Sequence, residues 1–127
     1  MKQQIGMERM CVLVVDDDPD IREFVSDALA FDGYAVLTAG NGLEALRLLD
    51  QHHPHVVLLD LRMPVMDGPT FARRCWERFG DAIPIIAMSA FSRDFHLNEL
   101  HLSGFLAKPF DLGDLNTLMA QFGGQPA

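Results

Sequence analysis

Short, solid apolar runs alternate along this chain with longer stretches of helical periodicity. The runs are Val12 to Val15, Tyr34 to Ala39, Val56 to Leu59, Ile85 to Met88 and Phe105 to Ala107. Apolar character that is continuous rather than alternating is what a strand covered on both faces requires. Between the runs, Ile21, Phe24, Val25, Ala28 and Leu29 recur at the three- and four-residue steps of an amphipathic helix. Phe71, Ala72, Cys75, Trp76 and Phe79 make a second stripe, and Leu112, Leu115, Leu118, Met119 and Phe122 a third. Leu43, Leu46 and Leu49, with Ala45 and Leu48, give a fourth and broader face. Start signals agree: Asp18 before Pro19, Asn41 three before Glu44, Asp67 before Gly68-Pro69, and Asp111 three before Asp114. Gly33 and Gly80 sit where helices should stop. The remaining segment, 92–103, carries Phe95, Leu97, Leu100 and Leu102 on no common face and is expected to be a short or irregular helix.

Five strand–helix units in strict alternation predict an α/β fold, a parallel sheet wrapped on both sides through right-handed crossovers. A length of 127 residues fits one domain. We place it at residues 10–122, with 1–9 as an N-terminal extension and 123–127 as a C-terminal tail.

Composition narrows the partners. With 49% hydrophobic residues the chain is no disordered acidic tail, and 18 acids against 10 Lys and Arg leave a formal charge of −8. That balance argues against a nucleic-acid phosphate binder and against an anionic membrane surface. The early apolar run from Met10 to Val15 is six residues and ends on three aspartates, too short for a signal peptide core or a membrane span. Cys11 and Cys75 form no metal or disulfide spacing and read as buried reduced thiols of a cytoplasmic protein.

In parallel sheets of this kind the functional crevice lies beyond the carboxyl ends of the strands. Asp16 and Asp17 follow Val15, Asp60 follows Leu59, Ser89 follows Met88 and Lys108 follows Ala107. Four strand ends thus bring three carboxylates, a hydroxyl and an ammonium to one rim. Acids crowded there repel one another unless a cation joins them, and all-oxygen donors suit a hard ion such as Mg²⁺. A carboxylate beside that ion can act as a nucleophile toward a phosphoryl group, while Lys108 and Ser89 hold the transferred oxygens. A solvated helix N-terminus accounts for Asp18, the expected N-cap, but not for acids ending a second strand.

Val12 to Asp17 (VLVVDD), Leu59 to Gly68 (LDLRMPVMDG), Met88-Ser89-Ala90 and Leu106 to Phe110 (LAKPF) resemble the receiver domain of two-component response regulators, over roughly residues 10–122. The resemblance implies a flavodoxin-like, doubly wound five-stranded parallel sheet of order 2-1-3-4-5 with five helices. It implies that Asp60 is the phosphoacceptor, receiving its phosphoryl group from a histidine kinase or a histidine phosphotransfer protein. By the same likeness Asp17 binds Mg²⁺ directly, Asp16 through water, and the Arg62 backbone carbonyl completes the protein ligands with Asp60. Ser89 and Lys108 match the hydroxyl and the lysine that contact the phosphoryl group. Phe105 falls at the aromatic position that turns inward when Ser89 is recruited, and Lys108-Pro109 resembles the family's cis peptide. Met63-Pro64 and Asp67-Gly68 read as loop scaffold.

The sequence departs from the family in two places. Ser89 and Lys108 are 19 residues apart, about one helical turn (~3–4 residues) fewer than usual, and the shortfall falls in 92–103. Receivers signal and dimerise through that face, so either a monomer or a phosphorylation-dependent dimer is expected, acting on a downstream protein target. Arg62 and Phe91, two residues past Asp60 and Ser89, stand where acyl-phosphate lifetime is tuned, and their bulk is expected to shield the phosphoryl group. Histidines 52, 53, 55, 96 and 101 read as solvated loop residues. The rival functions are a Mg²⁺-dependent aspartyl-phosphate phosphohydrolase, which lacks a second acid at Arg62, and a phosphorylation-independent interaction module. A flavin or dinucleotide site is opposed by Asp16-Asp17-Asp18-Pro19 where a phosphate cradle would stand. A calcium loop fails at Ile21, where its turn glycine belongs.

Overall fold

The structure, a computed structural model, describes residues 10–90 and 100–122. Five strands, β1 (Cys11–Val15), β2 (Ala35–Ala39), β3 (Val56–Asp60), β4 (Ile85–Ala90) and β5 (Gly104–Lys108), pair in parallel in the order β2-β1-β3-β4-β5. The described helices are α1 (Pro19–Phe31), α2 (Gly42–His52), α3 (Gly68–Phe79) and α4 (Leu112–Phe122), with a 3₁₀ turn at Gly80–Ala82. The flavodoxin-like sheet order is as expected. The irregular helix expected over 92–103 falls mostly outside the described residues, as do Phe91, His96 and the two terminal segments. Leu100, at its end, is buried.

The continuous apolar runs exist because alternate strand residues serve two cores. Leu13, Val15, Val57, Leu59, Ile85 and Ala87 pack under α2 and α3 around a fully buried Phe71. Val12, Val14, Val56, Leu58, Ile86 and Met88 pack under α1 and α4. Each fully buried Leu, Val or Ile contributes about 1.5–3 kcal/mol relative to exposure, so the central strands β1 and β3 anchor the molecule.

The helix starts follow their caps. Asp18 accepts from the Asp20 amide, Asn41 from Glu44 and Asp67 from Thr70. Asp111 and Asp114 each accept the other's backbone N–H, a reciprocal capping box. Gly33 and Gly80 end α1 and α3 in left-handed backbone, at φ 100° and 58°.

Periodicity placed the helix faces more firmly than the depth of individual residues. Of the α1 stripe, Val25 and Leu29 are buried, whereas Phe24 is 44% exposed and leans on Phe110 at 6.4 Å. Leu43 and Leu112 also sit at the exposed margins of their stripes. Cys75 is buried as expected, but Cys11, the first residue of β1, is only half-buried. His55 is more than a solvated loop residue: its Nδ1 accepts the Cys11 amide at 2.9 Å and fastens the start of β1. His53 meets the Phe79 ring edge-on, and His101 stacks on Trp76 at 3.9 Å.

Candidate functional site

The strand ends converge as the sheet order requires. Val15 pairs with Leu59, so the residues that follow, Asp16 and Asp60, stand side by side. On the other flank Asp60 pairs with Met88, which brings Ser89 next along β4, and Ser89 pairs with Ala107 just before Lys108. Backbone pairing runs past the apolar runs: Asp60, Ser89 and Lys108 belong to the strands rather than to the loops after them. Sequence polarity marks the end of a core, whereas the ladder continues for as long as neighbouring amides are in register.

Asp16 is fully buried, and both its oxygens are used. Oδ1 accepts the Asp18 amide at 2.9 Å and Oδ2 accepts the Lys108 ammonium at 2.8 Å, across 92 residues of chain. Asp17 is exposed, and Asp60 is 5% exposed. The Asp60 carboxylate accepts the Arg62 amide at 3.2 Å, and its other oxygen lies 3.6 Å from Lys108 Nζ. Asp16, Asp17 and Asp60 each offer an oxygen within 4.8 Å of the others.

Burial pushes the Asp60 carboxyl up to about 6; the Arg62 amide opposes this, Asp16 adds to it, Lys108 lowers it and Asp17 raises it again. Burial by itself would lower the Lys108 ammonium, but its hydrogen bond to Asp16 and the charges of Asp16 and Asp60 outweigh that and leave it raised. Lys108 therefore stays a cation facing two acids.

The loop after β3 is folded back tightly. Gly68 donates to the Leu61 carbonyl, and a Cβ on Gly68 would lie 2.5 Å from Leu61 Cα and 2.6 Å from the Asp60 carbonyl oxygen. Only glycine allows that approach. Asp67 caps α3, as expected, and Lys108–Pro109 is a cis peptide.

The fit to a hard divalent cation is good: three carboxylates with crowded charge, all-oxygen donors, one of them open to solvent. Beside the acids, an apolar cleft of about 430 Å³ runs between α1 and the segment after β5, lined by Ile21, Phe24, Ala90, Pro109 and Phe110, with Lys108 shared between cleft and pocket.

The model of the response regulator receiver domain family matches residues 12–120. The chain belongs to this family. The receiver domain is similar, at 42% identity over 84% of the chain, to the positive alginate biosynthesis regulatory protein of Pseudomonas aeruginosa, of which it spans 44%. Among solved structures it resembles the Vibrio cholerae chemotaxis protein CheY4, with 30% identity, 90% of this chain and 98% of that one covered, and a TM-score of 0.83. It resembles the Thermotoga maritima response regulator TrrA in complex with Mg²⁺-BeF at 31% identity, covering 88% and 97%, with a TM-score of 0.79.

All the site residues expected from the receiver pattern are thus drawn to one rim except Phe105. It lies half-buried at the second position of β5, opposite Ala87, against the core under α2 and α3. Two features were not anticipated. Val65, in the loop after Asp60, holds φ 71° while 78% exposed. Arg22, four residues after an N-cap and surrounded by acids in sequence, turns back to the Asp16 backbone. The only hint in the sequence was a lone basic residue between Asp20 and Glu23.

Proposed function

We propose that this receiver domain accepts a phosphoryl group on Asp60 from the phosphohistidine of a histidine kinase or histidine phosphotransfer protein. The observation that carries this reading is the meeting of Asp16, Asp17 and Asp60 within 4.8 Å, with Lys108 Nζ 2.8 Å from Asp16 and 3.6 Å from Asp60.

The Asp60 carboxylate attacks phosphorus, the phosphorus–nitrogen bond of the donor breaks, and the donor imidazole leaves with the bond pair. A carboxyl near 6 is mostly ionised at neutral pH and ready as a nucleophile. Lys108 is placed to move from the acids to a phosphoryl oxygen, keeping its charge while changing partners. Ser89, on the adjacent strand end, is the hydroxyl donor to a second oxygen. Asp16, Asp17, Asp60 and the Arg62 carbonyl are the groups to hold Mg²⁺, which when bound offsets the charge of the acids and of the transferred group.

The acyl phosphate adds roughly −1.5 to −2 charge, and recruitment of Ser89 with inward rotation of Phe105 is the two-state element to read it. The chain does no chemistry beyond gaining and losing its own phosphoryl group, and it works in the cytoplasm on a downstream protein. Among the described residues no helix is long and apolar enough to cross a membrane.

The test is incubation with acetyl phosphate and Mg²⁺, comparing wild type with Asp60→Ala. One phosphoryl group per chain, absent in the variant and absent with chelator, is expected. No labelling of the wild type would overturn the reading, and steady turnover of a phosphomonoester would favour a phosphohydrolase instead.

A further inference from the structure

Arg22 stands one turn into α1, among Asp16, Asp17, Asp18, Asp20 and Glu23. An arginine there would ordinarily extend into solvent over the helix face. Instead it is half-buried, and its Nη1 donates to the backbone carbonyl of Asp16 at 2.8 Å. That carbonyl belongs to the peptide joining Asp16 to Asp17. The bond therefore fixes the peptide plane between the two acids.

The guanidinium reaches this point by passing over Gly40. A Cβ on Gly40 would lie 3.1 Å from Arg22 Nη1 and 3.9 Å from Glu44 Oε1. Glu44 holds the same spot from the other side: its Oε1 accepts the Gly40 amide at 2.8 Å, while its own amide donates to the Asn41 cap at 2.9 Å. The Asp16 amide donates to the Ala39 carbonyl at 3.1 Å. Further on, the Gly42 amide donates to the Met66 carbonyl at 3.2 Å, in the loop that follows Asp60. The loop after β1 is thus braced against the loop after β2, and that one against the loop after β3.

We propose that Arg22 is a positioning residue for cation binding: it holds the Asp16–Asp17 peptide so that the exposed Asp17 carboxylate stays in register with those of Asp16 and Asp60, over a glycine whose missing side chain leaves it room. This rests on the reading of the acidic pocket as a Mg²⁺ site.

Charge and position predict opposite signs. Removing a cation from beside three carboxylates strengthens their pull on another cation. Releasing the peptide weakens it, because outer groups that orient ligands are typically worth ten- to a hundredfold in metal affinity. The experiment is Mg²⁺ titration by calorimetry on the full chain, with thermal melts in chelator as a check of folding. Arg22→Met is expected to bind Mg²⁺ about tenfold more weakly, despite the lost positive charge. Arg22→Lys, which keeps the charge but not the forked reach, should recover only part of the loss. Gly40→Ala keeps every charge and should show a smaller loss in the same direction. Should Arg22→Met not fold, Gly40→Ala decides. Equal or tighter Mg²⁺ binding in Arg22→Met, or an unchanged affinity in Gly40→Ala where only it folds, overturns the proposal while leaving the pocket reading intact. No Mg²⁺ binding by the wild type, with Asp17→Asn indistinguishable from it, overturns the pocket reading and this proposal with it.

Discussion

Asp60 is a carboxyl kept out of water beside other acids, and the fold bears the cost of its ionisation. Its native pKa of about 6 lies above the ordinary 3.8. An acid raised in this way costs almost nothing below about pH 3, where it is protonated in both states. As pH climbs from 4 through 6 the unfolded chain ionises first, so stability falls, and the full penalty is present at pH 7. Asp60→Asn should then be more stable than wild type at pH 7 by about 1–3 kcal/mol, with the gain vanishing near about pH 3. Urea unfolding at both pH values checks the sign; a gain independent of pH would contradict it. Val65 is strained for a different reason. A β-branched residue in left-handed backbone costs roughly 1–2 kcal/mol, and this one is exposed and so recovers little by packing. Val65→Asn, a residue that tolerates that region, should stabilise by about 1 kcal/mol, read as a higher urea midpoint.

At the scale of elements, the loops after β1, β2 and β3 are what turn strand ends into a pocket. The loop after β3 is the least tolerant, since a methyl group on Gly68 would collide with the backbone of both Asp60 and Leu61. Gly68→Ala should cost about 2–4 kcal/mol and should also weaken Mg²⁺ binding, because the displaced peptide carries Asp60 itself. Equilibrium unfolding and calorimetry separate the two effects. The helix N-termini were legible from sequence because an Asx residue and the amide two or three positions on are all a cap requires. The depth of each helical stripe was not. Phe24 and Leu112 keep the period of their helices, yet they stay 44% and 48% exposed, because periodicity gives the direction of a face and not what covers it. Histidines 55 and 101 are exposed as expected, but their partners, the Cys11 amide and Trp76, are distant in sequence and no local pattern marks them.

The whole molecule is joined across its length at the Asp16–Lys108 pair, the start of the first crossover bound to the end of the last strand. Lys108 carries the charge that makes a fully buried Asp16 tolerable. Removing one partner of such a pair leaves an uncompensated charge and typically costs 3–5 kcal/mol. Lys108→Met should destabilise by about 3 kcal/mol, and Asp16→Asn combined with Lys108→Met by less than the sum of the two single changes. A double-mutant cycle by urea unfolding measures that coupling, and simple additivity would show that the two groups do not depend on each other.

The sequence by itself determined the alternation of strands and helices, the capped helix starts, the sheet class and the set of polar residues at the carboxyl rim. These follow from short-range facts: the period of apolar residues, the side chains that satisfy open amides, and the chirality of crossovers. The receiver resemblance added the strand order and the residue roles, of which the order is now seen. Only the tertiary structure decided that Asp16 is sealed in and Asp17 left open, that Lys108 rests on Asp16 in preference to Asp60, and that Arg22 reaches the acidic peptide over Gly40. Each depends on the register between strands and on the route of a loop, which place atoms from distant parts of the chain within a hydrogen bond's length. No local pattern of residues carries that distance.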